Sequence, residues 1–292
     1  MAPPPSAPPR YVLTTTSPDT TGIVAAVSGF LAANHGNVIE AQHFNDVHTR
    51  TSFVRIVFQD DGGGMPPLGV LEAGFTEAVG SRFGMTHRIR DTARKMRVVV
   101  AVSKQGHCLN SLLHRWSQGS LPVEIVAVVS NHQDMRSLVE WHGVPFHYVP
   151  IIDGRKEEQE RRIRERFEAA DGELFVLARY MQILTPESCA YFANRAINIH
   201  HSFLPSFKGA RPYHQAHRRG VKLIGATAHY VTTELDEGPI IEQSVERVDH
   251  SLGPDQLVAL GADVEAVVLN RAVQWHAECR VFLNGVRTVV LR

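Results

Sequence analysis

The chain has no excess of either charge. Lysine plus arginine and aspartate plus glutamate each number 30 in 292 residues, so the formal net charge is zero. A nucleic-acid-binding surface usually rests on a basic excess, so bulk charge argues against a nucleic-acid partner. Cysteine is scarce too. Cys108, Cys189 and Cys279 are odd in number and far apart, which excludes a disulfide framework and a close-spaced cysteine metal cluster. Inert thiols in a reducing compartment fit that pattern. No apolar run approaches the roughly 20 residues that span a bilayer. The Pro-rich start MAPPPSAPPR lacks the apolar core of a secretory signal. The expectation is a cytoplasmic protein without membrane contact, carrying a disordered tail over residues 1–9. What remains, 43% hydrophobic and 21% charged residues, is an ordinary globular composition. The length suits one large domain or two smaller ones.

Two textures meet near Asp91-Thr92-Ala93-Arg94-Lys95. Residues 10–90 read β-α-β-β-α-β. Tyr11–Thr16 is a strand, and Ser17-Pro18-Asp19 is a turn expected to cap a helix. Ile23, Val27, Phe30 and Leu31 recur at helical spacing, and the Gly of Asn34–Asn37 is expected to end that helix. Strands follow over Val38–Phe44 and Ser52–Phe58, with Val54, Ile56 and Phe58 on one face. Leu68, Leu71 and Phe75 mark a second helix, and Met85–Arg90 a last strand. This is the pattern of a small α+β sandwich.

Residues 95–292 alternate strands and helices. Val98–Val102, Val123–Val129 and Leu174–Ala178 are nearly continuous apolar runs, as in strands buried on both faces. Helical stripes lie between them, so a parallel sheet covered on both faces is expected. Residues 155–170 are mostly charged and read as a solvated helix laced with opposite charges. Gln256–Arg280 is a long apolar-striped helix. Phe282-Leu283-Asn284-Gly285-Val286 is a hairpin signal of the type I′ kind.

The chemistry concentrates in residues 196–243. Asn198 and His200 alternate with Ile197 and Ile199, so on a strand both polar side chains leave one face. A loop through Pro205 and Gly209 follows. Ligands of open α/β sheets bind beyond the carboxyl ends of strands. A second strand, Ile224–Val231, leads into Thr232–Gly238, which carries Asp236. Amide, imidazole and carboxylate suit acyl chemistry: an N–H for a developing oxyanion, a proton carrier near neutral pH, and a carboxylate to orient the ring or help activate water. Alone, an Asn-x-His is more often packing than catalysis. His201, His214, His217 and His229 have structural readings, and His229 lies mid-strand, where a core histidine is an equal reading. No Cys or Glu stands at ligand spacing beside these histidines, so no metal is expected.

Asn198-Ile199-His200, Ser202-Phe203-Leu204-Pro205, Lys208-Gly209 and Leu235-Asp236-Glu237-Gly238-Pro239-Ile240 resemble, in order and separation, the signature of the folate-dependent formyltransferase superfamily. That resemblance implies catalytic roles for Asn198, His200 and Asp236. Its purine-pathway transferases carry a Gly-Ser-Asn phosphate loop after the first strand. Here Ser103-Lys104-Gln105-Gly106-His107-Cys108-Leu109 stands instead, a poor phosphate cradle with one glycine. This stretch, Arg179-Tyr180-Met181-Gln182-Ile183-Leu184, His200–Pro205 and Gly225-Ala226-Thr227-Ala228-His229-Tyr230-Val231 resemble the formyltetrahydrofolate deformylase family. Ser17-Pro18-Asp19, Gly22-Ile23-Val24 and Gly36-Asn37 resemble the start of an ACT regulatory domain, which precedes the catalytic domain in that family.

The resemblance implies a ferredoxin-like ACT domain over 10–90, serving regulation or oligomerisation, ahead of a Rossmann-like, mostly parallel formyltransferase domain over 95–292. It implies hydrolysis of 10-formyltetrahydrofolate to formate and tetrahydrofolate, supplying formate for purine synthesis and balancing one-carbon folate pools. Folate and water would be the only reactants, with no tightly bound cofactor. Met181, Gln182, Ile183, Leu184, Thr232, Glu234 and Gly238 would bind the folate, several through backbone groups. A homo-oligomer is implied, with glycine or methionine as candidate effectors of the ACT-like part. Two other readings stay open: a transferase acting on an amine, such as a sugar nucleotide, and a non-catalytic amino-acid sensor.

Overall fold

The computed structural model describes residues 9–205 and 212–292. The chain divides into two compact units. One runs through Lys95 and takes in Glu278–Asn284 and Val289–Arg292; the other comprises Met96–Ala277 and Gly285–Thr288.

In the first unit, β1 (Arg10–Pro18) is followed by α1 (Ile23–Ala33), β2 (Gly36–Asp46) and β3 (Thr51–Asp60). Next come α2 (Leu68–Phe75), a π turn over Thr76–Gly80, a last turn α3 (Ser81–Phe83) and β4 (Thr86–Asp91). The four strands form an antiparallel sheet in the order β2-β3-β1-β4, so the β-α-β-β-α-β reading holds. One sheet face, with Leu13, Val54, Ile56 and Phe58, packs on Ile23, Val27 and Leu31 of α1 and on Leu71 and Phe75 of α2. Alternation in β3 predicted one buried face, yet every residue from Ser52 to Phe58 is buried. The end of the chain covers the second face. Phe53 meets Phe282 edge-on with ring centres 5.6 Å apart. The guanidinium of Arg55 donates to Glu40 at 2.9 Å and to the Glu278 carbonyl at 3.0 Å.

The second unit begins β5 (Met96–Val102), α4 (His107–Ser117), β6 (Val123–Ser130), α5 (Arg136–Trp141), β7 (Phe146–Tyr148), α6 (Lys156–Ala169), β8 (Leu174–Leu177). It continues α7 (Pro186–Tyr191), β9 (Ala196–His200), α8 (Pro212–Arg219), β10 (Leu223–Tyr230), β11 (Ile240–Arg247) and α9 (Pro254–Ala277). One seven-stranded sheet runs β11-β10-β9-β8-β5-β6-β7. Strands β5 to β9 pair parallel, whereas β10 is antiparallel to both β9 and β11. The sheet is thus mostly parallel. From β5 the chain builds outward to β6 and β7, then crosses back to β8 on the other side. Such a switch in strand order opens a crevice beyond the carboxyl ends of the strands.

Four local expectations are corrected. Ser17 and Pro18 end β1 rather than capping a helix; α1 starts from Gly22 (φ 95°) with no side-chain cap. The left-handed residue after α1 is His35 (φ 62°), while Gly36 already belongs to β2. Glycine is needed there for another reason: a Cβ would lie 3.1 Å from the Leu31 carbonyl oxygen and 3.2 Å from the Phe58 ring. The charged helix α6 is not solvated all round, because Gln159, Glu160, Ile163 and Phe167 are buried at helical spacing. Finally, β12 (Val281–Asn284) and β13 (Arg287–Val290) pair around a turn at Gly285-Val286, with Gly285 at φ 63°. A type I′ turn needs positive φ at both central residues, and Val286 lacks it, while Asn284 stays in the strand and donates to Asp46 at 2.6 Å.

Candidate active site

The site grows from the β9–β10 pair. Their antiparallel register sets His229 opposite Asn198 and Thr227 opposite His200. Asn198 Nδ2 is 3.3 Å from His229 Nε2, and His229 Nδ1 is 2.9 Å from the Tyr230 carbonyl oxygen. A carbonyl only accepts, so Nδ1 carries a proton, and in that tautomer Nε2 accepts from the Asn198 amide. His229 therefore fixes which way the Asn198 NH2 group faces.

After β10 the chain returns on itself. The Thr232 hydroxyl donates to the Glu234 carbonyl at 3.0 Å, and the Tyr230 N–H donates to the Pro239 carbonyl at 2.9 Å. Gly238 closes this loop: a Cβ there would sit 1.7 Å from the Tyr230 carbonyl oxygen. Asp236 is held at φ 58°, a left-handed conformation uncommon outside glycine, asparagine and aspartate. Its Oδ2 lies 3.1 Å from His200 Nδ1 and its Oδ1 3.6 Å from His229 Nε2. Burial alone would raise the Asp236 pKa, but the hydrogen bond from the His200 imidazole outweighs it and holds the carboxyl well below the usual carboxylate range. Asp236 is thus an anion that accepts from His200 Nδ1, the tautomer in which the neutral ring carries its lone pair on Nε2. That atom, His200 Nε2, is buried and has no hydrogen-bond partner among the described residues. A buried, unpaired imidazole nitrogen is costly in a finished core and fits a proton-transfer position.

Beyond His200, the backbone from Ser202 to Leu204 is strapped to the sheet. Thr227 Oγ1 donates to the Ser202 carbonyl at 2.9 Å and accepts from the Leu204 N–H at 3.1 Å. Gln243 donates to the same hydroxyl at 2.9 Å and to the Leu204 carbonyl at 3.1 Å.

Asn198, His200 and Asp236 open onto a cavity of about 960 Å³. Met181, Gln182, Ile183, Leu184, Thr232 and Glu234 all line it. The apolar side chains of Met181, Ile183 and Leu235 stay half-exposed there, which suits a flat, partly apolar ligand. Gly238 is not on the wall; it shapes the loop that carries Asp236. Lys208-Gly209 lies outside the described residues.

The cavity also has residues to which the sequence assigned no role: Gln105, His107, Arg179, Tyr213 and Glu265. These five form one network. Glu265 accepts from His107 Nε2 at 2.7 Å and from the Tyr213 hydroxyl at 2.8 Å, with Arg179 Nε 3.4 Å away. Arg179 in turn donates to Gln105 Oε1 at 3.0 Å and pairs with His201. Burial works to raise the Glu265 pKa, but His107 and Arg179 pull it below its ordinary value. His201 is pushed down to about 4 by burial and by Arg179 and His200, so it stays neutral beside His200, on which it stacks at 5.1 Å. His107, Cys108 and Glu265 bring ligand-type atoms within 4.8 Å of one another. Burial pushes the Cys108 thiol well up, away from thiolate, and Glu265 is satisfied by protein donors. The donor set is therefore poor for a metal. No local spacing could have shown Glu265 or Tyr213, which lie 158 and 106 residues beyond His107 in sequence; Arg179 and Gln105 at least fall inside the segments that carried the resemblance.

Among the described residues, no helix is long and apolar enough to cross a membrane.

The family model described as formyl transferase matches residues 96–273. A formyltetrahydrofolate deformylase of Corynebacterium sp. (strain P-1) is 50% identical over 283 residues, covering 97% of this chain and 98% of that one. The crystal structure of a formyltetrahydrofolate deformylase from Burkholderia mallei superposes with a TM-score of 0.92 at 52% identity, covering 98% of this chain and 100% of that one. A glycinamide ribonucleotide transformylase from Symbiobacterium toebii is more distant, at 29% identity and a TM-score of 0.65, covering 68% of this chain and 95% of its own. With near-complete coverage at half identity, this chain belongs to the formyltetrahydrofolate deformylase family.

Proposed function

We propose that the chain hydrolyses 10-formyltetrahydrofolate to formate and tetrahydrofolate, with Asn198, His200 and Asp236 as the reacting centre. The observation that carries the assignment of roles is the unpaired His200 Nε2, backed by an ionised Asp236 and set beside an oriented Asn198 amide. The pterin end of the folate lies against Met181–Leu184 and the Thr232–Glu234 loop. The formyl carbonyl oxygen faces Asn198 Nδ2, which stabilises the oxyanion as it forms. His200 Nε2 takes a proton from water as the oxygen attacks the formyl carbon, and Asp236 stabilises the resulting imidazolium. The same proton passes to the folate nitrogen as the C–N bond breaks. Formate leaves with one oxygen from water, and tetrahydrofolate regains its N–H. Only folate and water are consumed.

The first unit we read as an ACT-type domain, supported by its β-α-β-β-α-β order and the sheet order β2-β3-β1-β4. Its role is homo-oligomerisation, with glycine or methionine as candidate effectors. A change in formate release on adding either amino acid would establish an effector site; a rate flat in both would remove it.

The reaction is tested by incubating the purified protein with 10-formyltetrahydrofolate and no acceptor, following tetrahydrofolate absorbance and formate together. Stoichiometric release of both, abolished in Asp236→Ala, is expected. Silence without an acceptor and turnover with an amine would overturn hydrolysis in favour of transfer.

A further inference from the structure

Water must win over any amine, and the cavity wall supplies a reason. One candidate side for an acceptor is the loop between β5 and the start of α4, since helix N-termini beyond sheet strands are ready anion sites. Here that loop is closed by the protein itself. The Ser103 hydroxyl donates to Asn131 Oδ1 at 2.7 Å and accepts from the Met181 N–H at 3.0 Å. Met135 sulfur presses on Gly106 so tightly that a Cβ there would lie 2.2 Å from it. Gln105 Oε1 takes two donors of Arg179, at 3.0 Å from Nε and 2.5 Å from Nη2. The third, Nη1, goes to His201, which stacks on His200. Glu265, 1% exposed, holds His107 and Tyr213. The arginine that an incoming phosphate would seek is thus engaged, and the wall beside it carries a buried carboxylate that repels an anion.

We propose that the Glu265–Arg179–Gln105–His107–Tyr213 network is an acceptor-excluding wall, which bars phosphate-bearing amines from the cavity and leaves water as the acceptor of the formyl group. The inference rests on the hydrolytic reading above and adds the residues that determine its specificity. In transfer, an acceptor amine would attack the formyl carbon, the folate C–N bond would break, and the amine's proton would pass to the folate nitrogen. Water does the same with far less room and no counter-charge. The network acts before any bond changes, by denying an acceptor its binding energy.

The test is calorimetric titration of the full-length protein with glycinamide ribonucleotide and, separately, with inorganic phosphate. Two variants are compared with the native protein. Glu265→Gln removes the buried charge while keeping the shape. Gln105→Ala, at an exposed position, releases the Nε and Nη2 donors of Arg179. Expected are no binding to the native protein up to the weakest Kd the titration detects, and Kd values at least about tenfold below that limit in each variant, a gain of about 1.4 kcal/mol or more. In the same variants the ribonucleotide should lower formate release even at saturating folate, because it binds beside the folate rather than in its place. A merely structural role would change stability or turnover without creating this affinity. Native protein that already binds the ribonucleotide, or folded variants as blind to both ligands as the native protein, would overturn the proposal. If Glu265→Gln does not fold, Gln105→Ala decides alone. Failure of the hydrolytic reading shows separately, as no formate from the native protein without acceptor, whatever the titrations give.

Discussion

Replacing Asp236 with asparagine isolates the charge from everything else at its position. Asparagine has nearly the same shape and tolerates the left-handed backbone, so φ 58° adds little strain. Asp236 Oδ2 lies 3.1 Å from His200 Nδ1. When His200 takes a proton from water, the ring becomes a cation at that distance. Coulomb's law with an effective dielectric of about 20 then gives about 5 kcal/mol, an upper bound. Hydrogen bonds to charged groups are measured at about 1.5–3 kcal/mol, a lower bracket. At about 1.36 kcal/mol per decade, 3 to 5 kcal/mol is roughly 10²–10⁴ in rate. Because the interaction strengthens only as the ring charges, the loss should fall on kcat, with KM little changed. Asp236→Ala should lose as much rate and also some stability, about 1–2 kcal/mol, because alanine resists the left-handed backbone. Steady-state formate release with 10-formyltetrahydrofolate as sole substrate, with urea denaturation of each variant, reads both effects. Asp236→Asn with more than about a tenth of native kcat would refute the charge argument, and a loss confined to KM would place Asp236 in binding rather than chemistry.

Three further outcomes are expected. Asn198→Ala should cost roughly 10²–10³ in kcat if the amide is the oxyanion donor; kcat within a few-fold of native would remove it from that role. His201 is pushed down to about 4, against about 6.5 in an unfolded chain. Its contribution to stability is therefore complete above pH 6.5 and is lost as pH falls through that window toward 4, by up to about 3 kcal/mol. The acid-side loss in denaturant midpoints should flatten in His201→Gln, and an unchanged slope would contradict the assignment. Gly238→Ala forces a Cβ onto the Tyr230 carbonyl oxygen, so the Asp236 loop must shift. We expect about 1–3 kcal/mol of lost stability together with a fall in kcat; native stability and rate would show that the loop accommodates the methyl.

Much of the architecture was legible because it is written in local periodicity. The 2.0-residue alternation at Val54, Ile56 and Phe58 and the 3.6-residue stripe at Ile23, Val27 and Leu31 both point at the same buried cluster. Near-continuous apolar runs such as Val98–Val102 marked strands buried on both faces. Asn198 and His200 could be placed on one face from their spacing alone. Turn chemistry was less reliable: Asn284-Gly285 promised a I′ turn, but Asn284 is held in its strand by Asp46. The charged run 155–170 hid a buried stripe, since Glu160 accepts from the Thr185 N–H and hydroxyl of a helix start 25 residues on.

What the sequence determined by itself was the family and the strand–helix order, and it also named the three side chains proposed to react, because each rests on contiguous residues. What tertiary structure decided was which groups meet. His229 reaches Asn198 through the β9–β10 register, not through sequence distance. The proton on His200 Nδ1 is assigned by a carboxylate 36 residues away. Glu265 comes from the last long helix to face Arg179, His107 and Tyr213, and a buried charge can be read only once the partners that offset its desolvation are known.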